Sequence, residues 1–167
     1  MSEAREHEAG RRTGRAWSSA GAIYGTIASM AVVAGGAKQT AISRLLVVTV
    51  MTLVIFWLAH VYANALAHHL NAADGLDWRA VRSAMAEEWP LVTGPLPALA
   101  ILALGALDVL PDRSAVLLML WCGVAQLLGW GIMFARRQRW GWPMALTTGA
   151  VNATFGILIV ILEVLIH

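Results

Sequence analysis

Hydrophobic positions in this chain fall in long continuous runs with no strand-like alternation. Five runs stand out, at residues 18–37, 45–70, 90–110, 115–135 and 144–166. An α-helix rises about 1.5 Å per residue and needs about 20 apolar residues to cross a bilayer's hydrocarbon core, so each run predicts one crossing. The first, SSAGAIYGTIASMAVVAGGA, is the least hydrophobic, and its glycines and alanines suit close packing against other helices in lipid. The second, LLVVTVMTLVIFWLAHVYANALAHHL, has the leucine, β-branched and aromatic content of a span. Pro90, Gly94, Pro95 and Pro97 crowd the start of the third and predict a kink or a discontinuous helix there. Residues 77–89, DWRAVRSAMAEEW, put charges on a short helical stretch and predict an interfacial helix. Residues 108–113 form a short connection, and Pro143 marks the start of the last helix.

The predicted architecture is therefore an all-α integral membrane protein, a compact bundle of five transmembrane helices with a short interfacial helix before the third. Residues 1–17 read as a basic cytoplasmic amino-terminal segment and 18–167 as the five-helix transmembrane domain. A cleavable signal peptide would place a shorter apolar region nearer the start, followed by a small-residue cleavage site, so none is expected. Placing the amino terminus in the cytoplasm puts Arg5, Arg11, Arg12, Arg15, Arg79, Arg82, Arg136, Arg137 and Arg139 inside, with only Lys38, Arg44 and Arg113 outside. This asymmetry follows the positive-inside rule and predicts an exterior carboxyl terminus, in the cell membrane. Trp17, Trp78, Trp89, Trp140 and Trp142 fall near the expected interfaces, whereas Trp57, Trp121 and Trp130 are expected to pack between helices.

Composition narrows the function classes. Of 167 residues, 59% are hydrophobic and 13% charged, and the mean hydropathy is +0.66. A soluble domain of this size could not hide that much apolar surface. The formal net charge is only +2, so the pI near 9.2 records the sidedness of the arginines and implies no nucleic-acid partner. Cys122 is the only cysteine, which excludes an intrachain disulfide and a multi-thiolate metal site.

Polar side chains inside the apolar runs carry the candidate chemistry. His60, Asn64 and His68 recur every four residues on one side of the second helix, with Trp57 and Asn71 nearby. Polar groups so placed face protein or a hydrated cavity, where they lock helices together or serve proton relay, solute binding or metal or haem ligation. Counted from the cytoplasmic ends of their helices, His60, Gln126 and Asn152 come to a similar depth, roughly 12 Å inward. Tyr24 and Tyr62 are expected near the same level. Glu163, close to the outer end of the last helix, is either a carboxylate that snorkels to the interface or pairs structurally with Arg44 or Arg113, or a cation-binding or proton-entry group.

Enzyme signatures are missing: HVYANALAHH is not HExxH, and no nucleophile has a recognisable base. Haem ligation by His60 or His68 would need a second ligand, and no cofactor is expected. These features point to a small transport or channel-like membrane protein for a proton, cation or small polar solute. His60, Asn64, His68, Gln126, Asn152 and Glu163 are its pathway or ligand-binding candidates. The alternative is a non-transporting accessory or assembly subunit, and the expected partners are the lipid bilayer and either further copies of the chain or a larger membrane complex.

Overall fold

The computed structural model describes residues 20–70 and 78–166. The basic segment 1–17, the His68 side chain and Asn71 lie outside the described residues. Among the described residues seven helices follow in order: α1 Ala20–Gly36, α2 Ile42–Leu70, α3 Trp78–Glu87, α4 Trp89–Thr93, α5 Leu96–Ala106, α6 Asp112–Arg137 and α7 Trp142–Ile166. Among the described residues, α2, α6 and α7 are long and apolar enough to cross a membrane. Residues Val81–Thr93 together with Leu96–Ala106 make a fourth such unit, bent by 53°. The chain is thus an all-α, multi-span membrane protein. Helix α1 is apolar but shorter than the run expected at 18–37.

The 53° bend lies at Gly94–Pro95, within the proline-rich start of the third run where a kink or discontinuous helix is expected, and there the backbone hydrogen-bond ladder is interrupted. The bent unit starts earlier than the run predicted from Pro90, because α3 continues almost directly into α4.

Helix α2 shows why the long helices need lipid. Ile42, Leu45, Thr49, Leu53, Val61 and Ala65, three, four or eight residues apart and so on one side of the helix, form its buried stripe. Val47, Met51, Ile55, Leu58 and Tyr62 form an exposed stripe that is nearly as apolar. A helix apolar on both sides is covered by protein on one and by hydrocarbon on the other.

The small residues of α1 let it sit at the centre of the bundle, with Ala22, Thr26, Met30 and Val33 fully buried. Gly21 and Gly25 rest on Leu91 of α4, Ala22 meets Gly94, Met30 fills the space left by Gly123 of α6, and Gly36 meets Leu45 of α2. The Thr26 hydroxyl donates to the Ala22 carbonyl at 2.8 Å and the Ser29 hydroxyl to the Thr26 carbonyl at 2.9 Å. These buried polar groups are therefore satisfied within their own helix.

Helices α6 and α7 form the most extensive pair among α2 to α7. Gly149 lies against Leu128 and Ile132, and Gly156 against Val124 and Leu127, so the two run antiparallel and closely packed. In the turn between them Arg139 adopts a left-handed conformation with φ 61°. The Arg136 guanidinium lies 4.6 Å from the Trp142 ring centroid, a cation–π contact. At the opposite end of the bundle, Gly105 at the close of α5 meets Ile42 of α2 and Ala115 of α6. Trp57 packs as expected, edge-on to Trp89 at 5.7 Å. Trp121, expected between helices, instead projects outward with 55% exposure.

Candidate functional site: the break in the bent span

Proline chemistry creates the site. Pro95 and Pro97 lack an N–H, so the carbonyls of Leu91 and Thr93 lose the donors a continuous helix would give them. The Gly94 N–H turns back to the Pro90 carbonyl at 2.8 Å, and the ladder resumes with Leu99 N–H donating to Pro95 at 3.0 Å. Neighbouring helices close over the gap. The Gln126 Nε2 amide of α6 donates to the Gly94 carbonyl at 3.0 Å. From the other side α1 comes so near that a Cβ on Gly25 would overlap the Leu91 carbonyl oxygen. The remaining amide oxygen of Gln126, Oε1, is buried without a donor, alone in this respect among the described residues.

Glu88 sits at the corner where α3 passes into α4 and is only 5% exposed. Its Oε1 accepts a hydrogen bond from Asn64 Nδ2 at 2.6 Å. Trp57, two turns earlier on α2, reaches the same corner through its edge contact with Trp89 and a long 3.4 Å hydrogen bond from Nε1 to the Met85 carbonyl. Trp57 and Asn64 together dock the corner onto α2. Among the described residues no cationic side chain pairs with Glu88. An amide donor satisfies one oxygen but supplies no compensating charge, and burying a carboxylate without an opposite charge beside it is costly.

His60 lies one turn before Asn64 and is half-buried. Its Nδ1 is 2.8 Å from the Phe56 carbonyl oxygen. A carbonyl can only accept, so the contact puts a proton on Nδ1 and, in the neutral ring, leaves the Nε2 lone pair available. The Tyr24 ring of α1 stands 6.2 Å from the imidazole. Tyr24 and Tyr62 are both largely exposed.

The residues expected at one depth do not converge. Among the described residues, His60, Gln126 and Asn152 make no hydrogen bonds to one another. Helix α2 packs on α3, α4 and α5, whereas α7 packs on α6, so these side chains stand on different interfaces. The Asn152 amide lies against Gly131 of α6. Glu163 is at the far end of the bundle, lining a cavity with Lys38, Asp112 and Arg113. Among the described residues no three His, Cys, Asp or Glu side chains cluster in a way that could hold a metal ion.

Glu88 is the residue that reading the sequence missed. It sits beside Glu87 in a charged stretch that looks solvated, and Glu87 is indeed exposed, accepting from the Ser83 hydroxyl at 3.3 Å. The available signal was helical spacing, since Ala84, Glu88 and Leu91 fall on one side of the helix and all three are buried. No known protein family, curated protein or solved structure matches this chain.

Proposed function

We propose that this is a five-span protein of the cell membrane that conducts or transports a proton or small cation, with its binding step at the break in the bent span. The observation that carries this reading is the buried Glu88 carboxylate, held by Asn64 and without a cationic partner among the described residues, in the half of the bent unit that precedes the Gly94–Pro95 break. Irregular backbone at membrane depth is tolerated where it is enclosed by protein or lines a hydrated cavity, and discontinuous helices recur at the ion and substrate sites of transporters. In this reading Glu88 takes up the proton or cation, Asn64 fixes the carboxylate, and the Nε2 of His60 relays a proton one helical turn away. Gln126 presents its unpartnered oxygen at the break, while Asn152 and Glu163 lie off this route. Helix α1 supplies the fifth crossing, and the arginine-rich end that includes Arg136, Arg137 and Arg139 faces the cytoplasm.

The test is flux through purified protein in liposomes, followed with a proton-sensitive dye and with cation-sensitive dyes across imposed pH and voltage gradients. Wild type should dissipate a gradient. Glu88→Gln should lower the rate about tenfold or more, as expected when a buried ionisable group on the route is lost, and His60→Ala should impair proton but not cation flux. A wild-type protein that dissipates no gradient overturns the transport reading.

A second reading, an accessory or assembly subunit, draws on a different observation. Helix α2 is the least covered of the three long helices, and its exposed stripe, Val47, Met51, Ile55, Leu58 and Tyr62, is apolar enough for a protein neighbour. Absence of flux together with stable co-purification of other membrane subunits would favour it.

A further inference from the structure

Helix α6 runs out through ARRQRWGWP, and its backbone closes as a Schellman turn. The Trp140 N–H donates to the Ala135 carbonyl at 3.1 Å and the Arg139 N–H to the Arg136 carbonyl at 3.0 Å. The apolar contact that accompanies such a turn is the edge-on packing of Trp140 and Phe134, ring centroids 6.1 Å apart. The motif drives the residue just past the helix into the left-handed region, and that residue is Arg139, at φ 61°. Glycine suits the position best because a Cβ is disfavoured there, so arginine costs backbone strain and supplies a cation. The three arginines of the turn then divide. Arg136 braces it, with its guanidinium over the Trp142 ring and its Nη1 donating to the Trp140 carbonyl at 3.3 Å. Arg137 and Arg139 are exposed and, among the described residues, make no ion pair or side-chain hydrogen bond. No Asp or Glu stands between Asp112 and Glu163, so α6 beyond its start, the turn and most of α7 supply no carboxylate to neutralise them. Trp140 and Trp142 are exposed beside them.

We propose that this turn binds an anionic phospholipid, with Arg137 and Arg139 on the phosphate and Trp140 and Trp142 against the glycerol and first methylenes. Helices α6 and α7 are each long and apolar enough to cross a membrane, so the turn that joins them lies at the headgroup layer. A guanidinium offers phosphate a fork of charge-assisted N–H donors. An exposed indole at that level keeps its ring in the apolar boundary and its N–H toward the headgroups. A zwitterionic headgroup brings a cation of its own, which unneutralised guanidiniums repel, whereas a headgroup of net negative charge such as phosphatidylglycerol brings none. An acidic protein or a nucleic acid would satisfy the arginines but has no use for two indoles at the lipid boundary. The assignment stands apart from that of Glu88.

The experiment counts bound lipid by native mass spectrometry on the full-length protein in micelles doped with equal amounts of phosphatidylglycerol and phosphatidylcholine of matched chains. Wild type should retain phosphatidylglycerol preferentially. A cation held near an anionic lipid surface is worth about fivefold in affinity. Arg139→Gly should therefore lower the preference by about that factor, and Arg137→Gln combined with Arg139→Gln by about tenfold or more. Arg139→Lys keeps the charge and should retain most of the preference. Because Arg139→Gly also relieves the left-handed strain, its thermal midpoint in micelles without anionic lipid should equal or exceed that of wild type, so binding falls while the fold holds. Equal binding of the two lipids by wild type overturns the proposal, and this comparison requires no variant to fold. A preference that survives undiminished in the double variant also overturns it, since the anionic lipid then binds elsewhere.

Discussion

Two glycines on one helix face opposite surroundings, and the contrast yields a stability prediction. A Cβ at Gly25 would run into the Leu91 carbonyl, which is backbone and cannot rotate away, whereas a Cβ at exposed Gly35 meets nothing within 4 Å. Gly25→Ala should therefore destabilise the bundle by about 1–3 kcal/mol, the usual range for forced overpacking. Gly35→Ala should be neutral or stabilise by up to about 1 kcal/mol through helix propensity. Thermal unfolding in detergent micelles separates the two, and equal effects would mean that α1 does not pack as described. The sequence marked the region as a small-residue contact surface, but composition alone assigns all four α1 glycines the same role. The same limit hid Glu88: a carboxylate in a charged stretch reads as solvated until the position of its helix relative to α2 is known.

Among the elements, the α3–α4 corner depends on a contact between sequence-distant residues. Asn64→Leu would leave the Glu88 oxygen without its donor, at a cost of about 1–3 kcal/mol, the penalty for an unsatisfied buried group. In a Glu88→Leu background the same change should cost little, and a double-mutant cycle on unfolding stability measures the difference. Additive costs would show that Asn64 does not act through Glu88. The long spans α2, α6 and α7 were legible because continuous apolar length is a strong local signal, and the bend was legible because proline removes an N–H wherever it stands. What α3 docks against was not legible. Its partners on α2 lie more than twenty residues away, and charge on a short helix suits a membrane interface as well as a helix flank. Trp121 was misplaced for a related reason: an indole in mid-span gives no sign of which side of its helix faces lipid.

For the whole molecule, the segregation of basic residues becomes a prediction about sides of a membrane. With Cys122→Ala as background, single cysteines at Lys38 and Arg139 should react with a membrane-impermeant maleimide from opposite faces of sealed vesicles, Arg139 from the cytoplasmic face. Labelling of both from one face would break the alternating arrangement of α2, the bent span and α6, and a reversed pattern would invert the orientation. Ser18→Cys labelled on the Arg139 side would count α1 as a crossing; labelling on the Lys38 side would remove it. The central place of α1 also bears on how the protein is made. The surfaces that enclose it, Leu91, Gly94 and Gly123, are synthesised long after α1 itself. Until they arrive Gly21 and Gly25 lack the Leu91 backbone they pack on, and a short, weakly hydrophobic helix gains little from lipid alone. A ribosome-arrested chain ending before Leu91 should therefore hold α1 less firmly in the membrane than the finished protein does.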